Sequence, residues 1–180
     1  MKKFLFALIL LPGIFIISCN NEGGMSATAK KNLDVMHGVQ KAFDTKDFSK
    51  LGDYVAEDCI DHAGQTGDIK GLANMKAEFE KMVAMNENTK TEIIKELADD
   101  EYVMSWLRFT GTLKMDQAGM GKAGDKYDMK AMELVKFKDG KAIEHWTFME
   151  PAEMMAMMSK MQPQSPMPMP ADSTRKDTMK

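Results

Sequence analysis

The segment Phe137-Lys138-Asp139-Gly140-Lys141-Ala142-Ile143-Glu144-His145-Trp146 decides the fold. Asp139-Gly140 is a two-residue hairpin signal, because the favoured tight turn needs positive φ at its central residues and Asp-Gly adopts it readily. A strand is therefore predicted on each side, over 127–138 and 141–149. Upstream, Tyr102 to Leu113 alternates: Val103, Ser105, Leu107 and Phe109 share one face, and Tyr102, Met104, Trp106 and Arg108 share the other. Asp99-Asp100 predicts a turn that joins this strand to another over 91–97. The glycines at 119, 121 and 124 mark a loop between the second and third strands of this meander.

Further toward the N-terminus the apolar spacing changes from two to about four. Leu33, Met36, Val39 and Phe43 lie on one helical face, and so do Leu72, Met75, Phe79, Met82 and Val83. Helices are predicted over 32–43 and 72–85, with a short one over 48–55 and a short strand over 58–63. A terminal helix is expected over 153–161. Helices followed by an antiparallel meander give an α+β domain, in which the helices cover one face of a strongly bent sheet. A cone of this kind can enclose a pocket lined by alternate strand residues.

Both ends of the chain differ from this domain. Lys2 and Lys3 precede an apolar run from Phe4 to Ile17, closed by Ser18-Cys19. A membrane-spanning helix takes roughly 20 apolar residues, whereas a secretory leader takes about 7–15. Residues 1–18 are therefore expected to be an export signal. Ile16-Ile17-Ser18-Cys19 resembles a bacterial lipoprotein signal, which implies acylation of Cys19 and a lipid anchor in the cell envelope. Asn20 is not the aspartate associated with inner-membrane retention, so the outer membrane is the default destination. Residues 19–30 are expected to be a flexible tether, 31–161 the domain, and 162–180 a disordered tail with Met167-Pro168-Met169-Pro170.

The formal net charge is −3, with 24 basic and 27 acidic side chains interspersed. No basic cluster is present, which argues against nucleic acid. Cys59 has no second cysteine in the domain and is expected to be a buried thiol.

The order of several segments resembles the SnoaL-like polyketide cyclase branch of the NTF2-like superfamily. Tyr54 to His62 resembles the branch's segment entering the cavity. Gly67 to Leu72 resembles its glycine step before the third helix, and Asp99 to Trp106 its turn and central strand. Thr110-Gly111 and Gly124-Asp125-Lys126 fit further elements, and Phe137 to Trp146 resembles the final hairpin. The resemblance implies an NTF2-like cone, with N-terminal helices packed on a curved antiparallel or mixed sheet, and a homodimer through the open sheet face. It places His62 at the pocket edge and the His145–Trp146 region by the cavity. Strand parity lets only one of His145 and Trp146 enter. The branch often has an aspartate base just after this pair. Here Thr147 follows, which departs from the usual cyclase mechanism.

The candidate catalytic residues are therefore His62, His145 and Glu150. An imidazole titrates near neutrality and can take a proton from a weakly acidic carbon. Met104, Trp106, Tyr127, Met129 and Trp146 are candidates for lining a site for a small apolar or aromatic molecule. No phosphate loop or dinucleotide fingerprint is present, so no cofactor is expected. The expectation is a lipid-anchored ligand-binding domain, either a cofactor-independent acid/base isomerase or cyclase-like enzyme or a non-enzymatic envelope protein. The 20 methionines raise a third reading, copper binding through thioethers, against which stands their use as flexible core filling spread over the whole chain.

Overall fold

The structure is a computed structural model that describes residues 24–64 and 66–161. The expected leader, Cys19 and the next four residues of the expected tether, and the whole expected tail lie outside the described residues. Four helices and six strands follow in the order α1 (Ala27–Thr45), α2 (Leu51–Tyr54), β1 (Val55–Asp61), β2 (Ile69–Lys70), α3 (Leu72–Met85), β3 (Asn86–Ala98), β4 (Tyr102–Leu113), β5 (Lys126–Lys138), β6 (Lys141–Met149) and α4 (Pro151–Met161). The strands form one curved, unclosed sheet in the order β2-β1-β6-β5-β4-β3. β1 runs parallel to β6, and the other neighbours are antiparallel.

The hairpin at the centre of the sequence argument forms as expected. Asp139 and Gly140 both have positive φ, 53° and 76°, as a type I′ turn requires. β5 and β6 pair on either side, from Lys138↔Lys141 to Ala131↔Met149.

α1 starts at Ala27, inside the stretch expected to be tether. Ser26 is the reason: its hydroxyl accepts from the Ala29 N–H at 3.0 Å, satisfying one open donor of the first turn. Asn32, 1% exposed, donates from Nδ2 to the Asp99 and Asp100 carbonyls and ties α1 to the β3–β4 turn. β3 begins at Asn86, five residues before the expected strand start, because its N-terminal half pairs with β4 as an edge without apolar alternation.

The core lies between the helices and one face of the sheet. Val35, Leu51, Val55, Cys59, Met75, Val103, Val135 and Phe137 form its centre. Burying a side chain such as Val103 contributes about 1.5–3 kcal/mol. Phe43, Phe48 and Phe79 close one side, with ring centroids 4.6–5.8 Å apart.

Directly paired residues point to the same face, so the register assigns every strand side chain. The inner rows are Val103/Val135/His145, Ser105/Glu133/Thr147, Leu107/Ala131/Met149 and Phe109/Met129, with Gly111/Tyr127 at the far end, and Thr147 is exposed. The outer rows are Tyr102/Lys136/Glu144, Met104/Leu134/Trp146, Trp106/Met132/Phe148 and Arg108/Lys130.

Candidate functional site

The parity question is resolved by this register. His145 faces inward and Trp146 outward. β1 adds Asp61, paired with His145 across the parallel seam. The side chains meet there: His145 Nδ1 lies 2.9 Å from Asp61 Oδ1. The second hydrogen bond to Asp61 Oδ1 comes from the Ala63 N–H at 2.8 Å. With Nδ1–H donated to the carboxylate, His145 keeps its Nε2 lone pair free, and Nε2 lies 3.4 Å from Thr147 Oγ1. The geometry is that of an imidazole base oriented by an acid.

Glu133 completes the cluster. It sits opposite Thr147, one inner row from His145. Burial pushes its carboxyl pKa up, His145 opposes that rise, and the Asp61 charge adds to it. For His145, burial favours the neutral ring, yet the Asp61 hydrogen bond and the charges of Glu133 and Asp61 prevail and raise its pKa. For Asp61, burial resists ionisation, but the bond and charge from His145 and the Ala63 N–H outweigh it and lower its pKa. The cluster thus combines a carboxylate with a lowered pKa, an imidazole with a raised one, and a second carboxyl that burial pushes up.

A second polar line leads out of the interior. Ser105, beside Glu133, donates to Glu96 Oε1 at 3.0 Å, and Glu96 Oε2 lies 2.8 Å from His37 Nε2.

Of the other candidates, Tyr127 and Met129 are inner residues. They line a cavity of about 230 Å3 at the wide end of the cone, with Met149, the 119–120 turn and α4. Burial raises the Tyr127 phenol pKa. His62, Glu150, Met104, Trp106 and Trp146 are gathered on the other side of the sheet. His62 stacks on Trp146 with centroids 4.9 Å apart and planes at 17°. Its Nδ1 lies 3.0 Å from Asp68, and its Nε2 3.5 Å from Glu144. The Asp68 hydrogen bond, opposed by partial desolvation and aided by Glu144, raises its pKa. Trp106 Nε1 donates to Glu150 Oε1 at 3.0 Å. Arg108 makes a bidentate pair with Asp128 on the same face.

The structure thus puts the two histidine rings on opposite faces of the sheet, although the His62 N–H donates to the His145 carbonyl at 2.8 Å. The residue that the sequence reading missed is Glu133. Its signal was present: it is the one acid on the inner row Ala131, Glu133, Val135, Phe137, and an acid among apolar inward positions marks a functional candidate.

The SnoaL-like polyketide cyclase family model matches residues 33–158. No curated protein matches the chain in sequence. Among solved structures, a protein from Jannaschia sp. CCS1, provisionally named a SnoaL-like polyketide cyclase, is similar with a TM-score of 0.63 and 15% identity, over 76% of this chain and 96% of its own. IdmH from Streptomyces antibioticus, provisionally named a polyketide cyclase, is similar with a TM-score of 0.59 and 20% identity, over 71% of this chain and 98% of its own. AclR from Streptomyces galilaeus, provisionally named a hydroxylase, has a TM-score of 0.60 and 17% identity, over 73% and 98%. These likenesses concern the fold, and their differing names show that one fold carries several chemistries.

Proposed function

From the premise that this chain belongs to the SnoaL-like polyketide cyclase family, we propose that it is a lipid-anchored envelope protein that binds a small apolar or aromatic molecule in its cone and moves a proton on it without a cofactor. The observation that carries the reading is the inward His145, held by Asp61 at 2.9 Å, with half-buried Glu133 on the adjacent inner row. His145 Nε2 takes the proton from an acidic carbon of the ligand, and Asp61 stabilises the imidazolium that forms. Glu133, in its neutral form, donates to the developing oxyanion or returns a proton. Such a sequence isomerises or cyclises a substrate, and general acid–base catalysis of this kind supplies about 10²–10⁴-fold. In this chain Asp61 and Glu133 stand in for the acid that Thr147 replaces.

Solvent exchange tests the reading. Small cyclic and aromatic ketones are incubated with the protein in D2O, and loss of the α-proton signal is followed by NMR. Exchange that falls by about 10²-fold in His145→Gln and in Asp61→Asn supports the dyad as the proton carrier. Exchange that is the same in wild type and His145→Gln sinks it.

The outer sheet face favours a homodimer as the working assembly. Leu97, Met104, Trp106, Met132 and Phe148 are 38–58% exposed on one side of neighbouring strands. A contiguous apolar patch of this kind marks an association surface, and the charges bordering it, Arg108 with Asp128 and Lys136 with Glu144, are paired within the chain.

A further inference from the structure

The methionines of this chain are not all core filling. Met129 and Met149 come from the inner rows of β5 and β6, Met120 from the turn at 117–121, and Met157 from α4, and all four line the one cavity of about 230 Å3. Gly119, with φ of 79°, brings the turn so close to α4 that an added Cβ would lie 2.5 Å from Met157 Cγ and 2.6 Å from Met161 Cε. Four methionines from four elements thus share one wall at the mouth of the cone, and Met161 lies against Gly119 beside it. Met75, by contrast, is 4% exposed in the core, whereas the four lining methionines are only partly buried.

We propose that this pocket is a binding site for one soft monovalent ion, Cu(I). Thioethers are weak ligands for Zn2+ or Mg2+ and good ones for Cu(I), so a wall of methionines selects by softness. Among the described residues no group of three His, Cys, Asp or Glu is placed to hold a metal, and of the two carboxylates in this wall Asp128 is already held by Arg108. The charged residues of the wall are Lys126, Lys160, Asp128 and Glu153. They balance in sign, and the Lys160 ammonium is held on the Met120 carbonyl at 2.8 Å, so net charge does not expel a cation. The site is independent of the His145–Asp61 dyad, which lies deeper in the cone.

The test uses the full chain labelled with [methyl-13C]methionine and titrated in chloride-free buffer with Ag(I), a redox-inert probe of the same softness. The methyl signals of Met129, Met149 and Met157 are expected to shift together and saturate at one equivalent, while those of exposed Met82, Met115 and Met155 stay in place. Met→Leu keeps side-chain volume and is well tolerated. The double variant Met149→Leu/Met157→Leu is expected to lose the shift at Met129 and to weaken binding at least tenfold, and Met154→Leu/Met155→Leu to behave as wild type. Pocket methyls that do not move, or shifts confined to Met154, Met155 and Met158, overturn the proposal. His145→Gln is expected to leave the silver shifts intact, so failure of the metal site and failure of the proton-transfer reading are separate results.

Discussion

His145 and Asp61 are joined across the parallel seam of the sheet, Nδ1 to Oδ1 at 2.9 Å. β1 and β6 are far apart in sequence, and their neighbouring positions bring a base and its orienting acid to one inward point. Asp61 is 5% exposed, so the pair is partly desolvated and each member shifts the other.

Asp61→Asn removes the charge and keeps the shape. The His145 pKa is expected to fall, because its main stabilising partner is lost while burial continues to favour the neutral ring. Histidine ring NMR titration checks this. In the wild type the Asp61 pKa is lowered on folding. The stability it contributes is therefore present above its unfolded value of about 3.9 and lost as pH falls through the folded value. The variant is expected to lose about 1–3 kcal/mol near neutral pH and to show a flatter acid limb in urea unfolding.

Glu133→Gln acts in the opposite sense. The folded pKa of Glu133 is raised, so its contribution is complete below the unfolded value of about 4.3 and is lost as pH rises through the folded value. The variant keeps a neutral side chain at every pH. Relative to wild type, it is expected to gain stability as pH rises from about 4.3 and to level off above the folded value. Unfolding midpoints at a series of pH values measure that gain, and a constant difference between the two proteins would contradict it.

Met132→Glu places a charge in the middle of the outer apolar patch, beside Trp106 and Phe148. The side chain is 39% exposed, so the folded chain tolerates the change within about 0.5 kcal/mol. Sedimentation velocity is expected to show a dimer for wild type and a monomer for the variant. A wild type that sediments as a monomer at every concentration ends the dimer proposal.

Cys19→Ser tests the anchor proposed from the lipoprotein-like signal. Wild type is expected to fractionate with membranes and incorporate labelled palmitate, and the variant to do neither. Buried Cys59, whose thiol pKa is raised by burial and then by Asp58, is not a competing acylation site.

The architecture was legible because local signals agreed with one another. Asp139-Gly140 fixed the register of β5 and β6, and the alternation from Tyr102 to Leu113 marked all of β4. The helix expected over 72–85 is α3, since its apolar stripe packs on the sheet. What could not be read was the pairing of distant strands. Asp61 and His62 are neighbours in sequence and point to opposite faces, and only the β1–β6 register says which of them meets His145. Local periodicity carries no information on that pairing. The same register sends Trp106 and Trp146 outward, although large aromatic residues suit a pocket equally well. β2 escaped notice because two residues, Ile69 and Lys70, are too short to show a period.

The cavity at the mouth owes its outer wall to α4, and α4 is the least firmly attached helix. None of its residues is buried. Its polar ties to the rest of the domain are Glu153 accepting from the Lys130 N–H at 3.3 Å and Lys160 donating to the Met120 carbonyl. Any opening of α4 removes part of the wall, and the apparent dissociation constant of an occupant is its intrinsic value divided by the fraction of molecules with α4 docked. Affinity at this mouth is set as much by how tightly α4 latches as by what the wall touches. A change in the latch, remote from the occupant, tunes binding without altering selectivity.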